Sequence, residues 1–114
     1  TGPQTYAPRM DAELDFASAS ALERVLVEFL AAHPDMRHVC LFAQPINRID
    51  ATGVEVFGRL RRLLQDRGIT LHVSGMKLPV ETVLRKAGEL PEGPLLRLYR
   101  TDVEALLAFG RLSP

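Results

Sequence analysis

Asp50 and Thr52 are the residues of this 114-residue chain best placed for polar chemistry. They lie in the stretch Ile46-Asn47-Arg48-Ile49-Asp50-Ala51-Thr52-Gly53-Val54-Glu55, a carboxylate and a hydroxyl separated by one small residue. The carboxylate can serve nearby backbone N–H groups, complement a helix dipole or form part of a recognition loop. The hydroxyl can cap a helix, and Thr52 is also the candidate phosphosite of the loop. Arg48, Arg59, Arg61 and Arg62 form a second group. They read either as a solvated helix face or as a cationic dock for an acidic protein, a nucleotide or anionic lipid headgroups.

Other chemistries find less support. His33, His38 and His72 have no metal-ligand spacing, and Cys40 has no second cysteine, so no metal site is expected. His38 and Cys40 share one face of a strand, but a catalytic dyad needs an orienting group and a pocket, and a core thiol suits the apolar context better. Gly53 and Gly58 match no glycine-rich phosphate loop. Neither a catalytic set nor a cofactor motif emerges. Lys+Arg and Asp+Glu both total 14 and Trp is absent, which disfavours a nucleic acid polymer as partner.

A chain 46% hydrophobic and 25% charged is expected to fold as one soluble domain. The lone cysteine suits a reducing compartment. No apolar run approaches the roughly 20 residues that span a bilayer, and no secretory signal is evident. The opening Thr1-Gly2-Pro3 reads as part of a disordered lead or tag scar over residues 1–4, followed by a single domain over 5–112.

The elements that must position these residues follow from periodicity. The apolar run 39–43 lies in a strand predicted over 36–43, and Val56, Phe57, Leu60, Leu63 and Leu64 form the stripe of a helix that follows. Thr52-Gly53-Val54-Glu55 reads as a capping box with Thr52 as the cap, and Gly68 as the stop after Arg67. Asp50 and Thr52 therefore belong at the carboxyl end of a strand, where open α/β sheets place their sites. Ser20-Ala21-Leu22-Glu23 is a similar box, opening a helix with Leu22, Val25, Leu26, Phe29 and Leu30 inward that stops before Pro34. Residues 69–74 alternate apolar and polar.

Pro79 suits the first turn of a third helix with Val80, Val83, Leu84 and Ala87 inward, closed by Gly88. Residues 95–99 form a last strand. The box Thr101-Asp102-Val103-Glu104 opens a final helix with Val103, Leu106, Leu107 and Phe109 inward. With short strands at 5–9 and 14–17, the order is β-β-α-β-α-β-α-β-α. This is an α/β fold with a mixed, mostly parallel sheet of about four to five strands. The polar alternation at 69–74 is wrong for a sheet covered on both faces, so about four helices are expected mainly on one face, with the other face wetter or meeting a partner.

Ile49-Asp50-Ala51-Thr52-Gly53, the strand 69–74 and Pro79-Val80 with Val83-Leu84-Arg85-Lys86-Ala87-Gly88 together resemble a STAS domain. That module is shared by sulfate transporters and anti-sigma-factor antagonists, and the likeness covers about residues 5–110. Asn47-Arg48-Ile49-Asp50-Ala51-Thr52-Gly53, Leu14-Asp15-Phe16-Ala17-Ser18-Ala19, Met76-Lys77-Leu78-Pro79-Val80 and Arg100-Thr101-Asp102-Val103-Glu104-Ala105-Leu106 look more like the C-terminal domain of bacterial SulP-type anion permeases.

The resemblance implies a non-catalytic regulatory and interaction domain on the cytoplasmic side of the bacterial inner membrane. Its interaction loop would be Asp50, Ala51, Thr52 and Gly53. Its partners would be the transporter's transmembrane domain, a second copy in a homodimer, a nucleotide, or an acidic protein such as acyl carrier protein. Phosphorylation-switched antagonists carry Ser or Thr directly after the loop Asp, where this chain has Ala51. That departure counts against the alternative, a stand-alone antagonist that binds an anti-sigma kinase.

Overall fold

The computed structural model describes residues 5–6 and 16–112, with side-chain environments from 21 to 110. Strands β1 (Thr5–Tyr6), β2 (His38–Phe42), β3 (Thr70–Ser74) and β4 (Leu96–Tyr99) alternate with helices α1 (Phe16–Ala32), α2 (Ala51–Asp66), α3 (Leu78–Lys86) and α4 (Asp102–Leu112). The four strands form one sheet in the order β1-β2-β3-β4. Every pairing is parallel.

The second short strand expected at 14–17 does not form where it is described, since residues 16 and 17 open α1. Residues 14–15 lie outside the described residues, as do the lead 1–4 and the rest of the edge strand beyond Tyr6. Ser20 falls inside α1 and does not start it, so the box at 20–23 is not a cap.

The register His38↔Thr70 through Phe42↔Ser74 places the odd residues of β2 and β3 on one face and the even residues on the other. Val39, Leu41, Leu71 and Val73 face the main core, which α1 enters with Leu26 and Leu30, α2 with Val56, Phe57, Leu60 and Leu64, and α3 with Val80 and Leu84. Three helices thus share one face. The opposite face carries Cys40, and α4 covers it with Ala105 and Phe109. The polar alternation of β3 lies against this fourth helix, so His72 and Ser74 are buried and not wet.

The assignment of inward residues in α4 needs correction. Val103, Leu106 and Leu107 are 64%, 53% and 61% exposed, whereas Ala105 and Phe109 are buried. An apolar stripe at i, i+3, i+4 marks one helical face but cannot say which apolar face meets the sheet when the helix has two. Val25 and Val83 are likewise about half exposed, and Ala87 is exposed.

The ends follow local rules better. Pro34 lies just beyond α1, Gly68 and Gly88 adopt positive φ (69° and 76°) after α2 and α3, and Pro79 stands in the first turn of α3. The box at α4 forms as expected: Thr101 Oγ1 accepts from the Glu104 N–H at 3.1 Å, and Glu104 Oε1 accepts from the Arg100 and Thr101 N–H groups.

The two faces predict different mutational costs. Leu84→Ala, at a side chain 1% exposed, is expected to destabilise by about 2–5 kcal/mol. Leu106→Ala should change stability by no more than about 0.5 kcal/mol. Urea denaturation of the two variants measures the contrast, and equal costs would return Leu106 to the core.

Candidate functional site

The loop between β2 and α2 is fixed from both sides before Asp50 is reached. The Ala43 N–H donates to the Ser74 carbonyl at 2.8 Å, and Ile46 is buried in the main core. Lys77, at the start of α3, donates to the side-chain carbonyl of Asn47. Gly75, at φ 71°, lets the turn after β3 lie against Gln44, whose side chain would be 2.8 Å from an added Cβ. Two neighbouring strand-to-helix loops are thereby joined at the carboxyl end of the sheet.

Asp50 caps α2. Its backbone is extended (φ −99°, ψ −179°), its Oδ1 accepts from the Gly53 N–H at 2.8 Å, and its carbonyl accepts from the Val54 N–H. This overturns the expectation that Thr52 is the cap. Thr52 lies in the first turn, exposed, one residue after Ala51. Asp is at least as good a cap as Thr, and a helix started by Asp50 places Ala51 and Thr52 at its first two positions. Asp50, Ala51 and Thr52 therefore form an exposed helix entrance over a buried Gly53. Asp50 holds the backbone, Ala51 is chemically inert, and Thr52 presents its hydroxyl at the positive end of the helix dipole.

The arginines of α2 are held largely within the domain. Arg59 pairs with Glu23 of α1 at 3.2 Å and with Glu55 at 3.4 Å. The hydrogen bond to Glu23 raises its already high pKa. Arg61 reaches Glu89 at 2.7 Å with its side chain only 11% exposed, and Arg62 reaches the same carboxylate at 3.3 Å. Burial alone would raise the Glu89 pKa, but the hydrogen bonds and charges of Arg61 and Arg62 outweigh it and hold the carboxyl below its ordinary value. Gly58 makes room for this cluster, since a Cβ there would lie 2.6 Å from Glu89 Oε2. Arg48 is exposed on the loop before Asp50.

A polar chain beneath α4 was not anticipated. His38 Nδ1 lies 3.0 Å from His72 Nε2, and His72 Nδ1 lies 2.8 Å from the Tyr99 hydroxyl. One proton on each neutral imidazole satisfies the chain in either direction. Tyr99 stacks on His72, and Phe109 meets it edge-on. Beside them Ser74 Oγ donates to Asp102 Oδ1 at 2.6 Å, anchoring the first turn of α4. Burial, then the charges of His38 and Arg97, press the His72 pKa down to about 4. Burial lowers that of His38 as well. Burial and Asp102 push the Cys40 thiol up to about 12, so it is an inert core group. The signal in the sequence was the polar alternation Thr70, His72, Ser74, but the partners come from three other elements. Among the described residues, no group of three or more His, Cys, Asp or Glu side chains is arranged to hold a metal ion.

A parallel four-stranded sheet with this helix order, and a capped helix entrance at the carboxyl end of its second strand, match a known family over most of the chain. The STAS domain aligns with residues 3–105. This chain belongs to the STAS family. Its fold is similar to that of a SulP transporter STAS domain from Vibrio cholerae, at 22% identity over 98% of this chain and 86% of that one, with a TM-score of 0.78. A sulfate transporter family protein from Wolinella succinogenes is similar at 21% identity, over 96% of this chain and 86% of that one, with a TM-score of 0.78. A candidate anti-sigma factor antagonist from Thermotoga maritima shares the fold at 19% identity, over 92% of this chain and 86% of that one, with a TM-score of 0.73. No curated protein matches the sequence significantly.

Within this STAS domain the cap assignment has a direct consequence. Asp50→Ala should cost about 0.5–2 kcal/mol, while Thr52→Ala should stay within about 0.5 kcal/mol. Equal costs in urea denaturation would show that Thr52 shares the capping role.

The chain beneath α4 predicts acid sensitivity. His72 binds its proton more weakly folded than unfolded, so its contribution to stability is complete above pH 6.5 and is lost as the pH falls towards about 4. The loss should reach about 2–3 kcal/mol. His72→Gln should flatten this limb when denaturation midpoints are compared across that range, and an unchanged slope would assign the acid sensitivity elsewhere.

Proposed function

We propose that this STAS domain is the non-catalytic regulatory and interaction module of a SulP-type anion transporter, working at the cytoplasmic side of a bacterial inner membrane. The observation that carries this reading is the helix entrance at α2. Its position after the loop Asp is Ala51, which has no hydroxyl to phosphorylate, while the likeness to SulP-type STAS domains spans almost the whole chain. Asp50, Ala51, Thr52 and Gly53 would then act as a fixed docking surface. The transmembrane part of the parent transporter is the first partner this surface would serve.

A cytoplasmic ligand would approach the side of α2 that runs on from this entrance. Arg59 and Arg62 are 41% and 51% exposed, and each already pairs with a carboxylate. An acidic protein such as acyl carrier protein, or a nucleotide, would compete with Glu23 and Glu89 for these guanidinium groups. Arg48 would extend the contact. Such exposed pairs are individually weak, so binding should rest on several and fall with salt.

The second reading is a stand-alone antagonist of an anti-sigma kinase, favoured by the likeness to the Thermotoga protein. Incubation with such a kinase and ATP, followed by intact-mass measurement, separates the two. The transporter reading expects no phosphoryl addition. Stoichiometric modification at Thr52, which is exposed, would overturn it. A long membrane-spanning region encoded directly upstream of Thr1 would support the transporter reading from an independent direction.

A further inference from the structure

We infer that the cavity beside the last turns of α2 binds a small uncharged molecule that carries one carbonyl group on an apolar ring or short chain. The inference is independent of the regulatory reading above, since Asp50 opens α2 and the cavity lies towards the other end of that helix. The cavity volume is about 210 Å³. Roughly 150 Å³ admits benzene, and drug-sized ligands occupy about 300–1,000 Å³. The occupant is therefore larger than a bare ring and smaller than a drug-sized molecule.

The segment that walls the cavity is anchored at both ends. Leu90 is buried in the main core, and the Leu95 carbonyl accepts from the Leu71 N–H at 2.9 Å. Between them stand Pro91 and Pro94, whose rings lock φ and leave the segment little freedom to collapse. Pro91, Pro94, Leu95 and Leu96 supply the apolar lining, while Arg61, Gln65 and Glu92 supply the polar side chains. A few polar groups on an apolar wall is the composition of a small-molecule site.

Arg61 carries an unused donor at this cavity. Its Nη2 donates to Glu89 Oε1 at 2.7 Å and its Nη1 to Gln65 Oε1 at 3.2 Å, which together fix the guanidinium plane. Its Nε is buried and has no hydrogen-bond partner among the described residues. A buried donor left unpaired is costly and calls for an acceptor. A carbonyl oxygen lodged beside Gln65 would fill that role and leave both existing contacts in place.

The charge of the occupant follows from the groups already present. Arg61 and Arg62 share the Glu89 carboxylate, and Glu92 lines the cavity as an exposed residue. Two guanidinium groups thus balance two carboxylates. An anionic ligand would add a third carboxylate to two cations, and a cationic ligand has no acceptor to offer the Nε–H. An uncharged carbonyl meets that donor and keeps the balance.

Benzamide, a ring bearing one neutral carbonyl, is the probe. In two-dimensional NMR spectra of isotope-labelled protein it should shift the Arg61 Nε–H signal and the backbone amides of Gln65, Gly93, Leu95 and Leu96. The amides of Ala51, Thr52 and Gly53 should stay in place. A dissociation constant on the order of 1 mM is expected for so small a ligand. Benzoate, of the same shape but charged, should bind at least about tenfold more weakly.

Arg61→Lys keeps a cation facing Glu89 but has no N–H at the Nε position. It should weaken benzamide binding by about tenfold or more. Should that variant disturb folding, Gln65→Trp, at an exposed position of α2, should fill the cavity mouth and abolish the shifts with an unchanged far-UV circular dichroism spectrum. Absence of benzamide shifts around the cavity, benzoate binding as tightly as benzamide, or benzamide binding that survives Gln65→Trp would overturn the proposal.

Discussion

The parallel pairing of β2 with β3 is the constraint from which the rest of this domain follows. Its five-residue register, His38↔Thr70 to Phe42↔Ser74, sorts every side chain of the two central strands. Val39, Leu41, Leu71 and Val73 go to the face that α1, α2 and α3 cover. Cys40, His72 and Ser74 go to the face beneath α4. A slip of one residue would exchange these sets, putting imidazoles into the apolar core and aliphatic residues against Asp102. The same pairing brings the loops after β2 and β3 together, where Gly75 lies against Gln44 and Lys77 reaches Asn47. The helix entrance at Asp50 is thus held by the sheet through its loop as well as by its own cap.

The two faces use different physics. The α1–α3 face is an aliphatic core whose stability comes from removing apolar surface from water. The α4 face holds a smaller apolar cluster of Cys40, Ala105 and Phe109 around hydrogen-bonded polar groups. Each of those groups is costly to bury unless satisfied, and His38, His72, Tyr99, Ser74 and Asp102 satisfy one another. Specific polar contacts hold α4 in place on the inside while an apolar stripe faces outward. The last helix is consequently both a cover for the sheet and a surface with unused apolar contact area.

The α2 helix illustrates how a charged row can mislead. Arg59, Arg61 and Arg62 read as a free cationic face because their spacing in sequence shows only their own helix. In the fold, Glu23 arrives from α1 and Glu89 from the turn after α3, and the row becomes a set of ties between elements. What can be offered to a partner is the exposed part of Arg59 and Arg62 together with the Asp50 entrance, a smaller and more polar surface than the row suggests.

Local signals were legible wherever they acted within a few residues. Pro34, Gly68, Pro79, Gly88 and the Thr101–Glu104 box mark helix ends through backbone geometry that the residue itself imposes. Period-two and period-3.6 patterns located β2, β3, β4 and α2 and gave the alternation of strands and helices, apart from the second strand expected at 14–17, where residues 16 and 17 open α1. The choice between two adjacent cap candidates was not legible, because Asp50 and Thr52 are both good caps and only the assembled loop sets the helix start at Asp50. Nor was the inward face of α4, whose Ala105 and Phe109 side competes with an equally apolar Val103, Leu106 and Leu107 side. His38, His72 and Tyr99 lie on three strands, and their meeting depends on strand register. The sequence by itself determined the elements, their order and most of their ends, because those depend on short-range sterics and periodicity. Tertiary structure alone decided that Arg59 meets Glu23 and that Arg61 and Arg62 meet Glu89, which face α4 buries, and that His38, His72 and Tyr99 share hydrogen bonds, because each of these requires two distant segments to be in place at once.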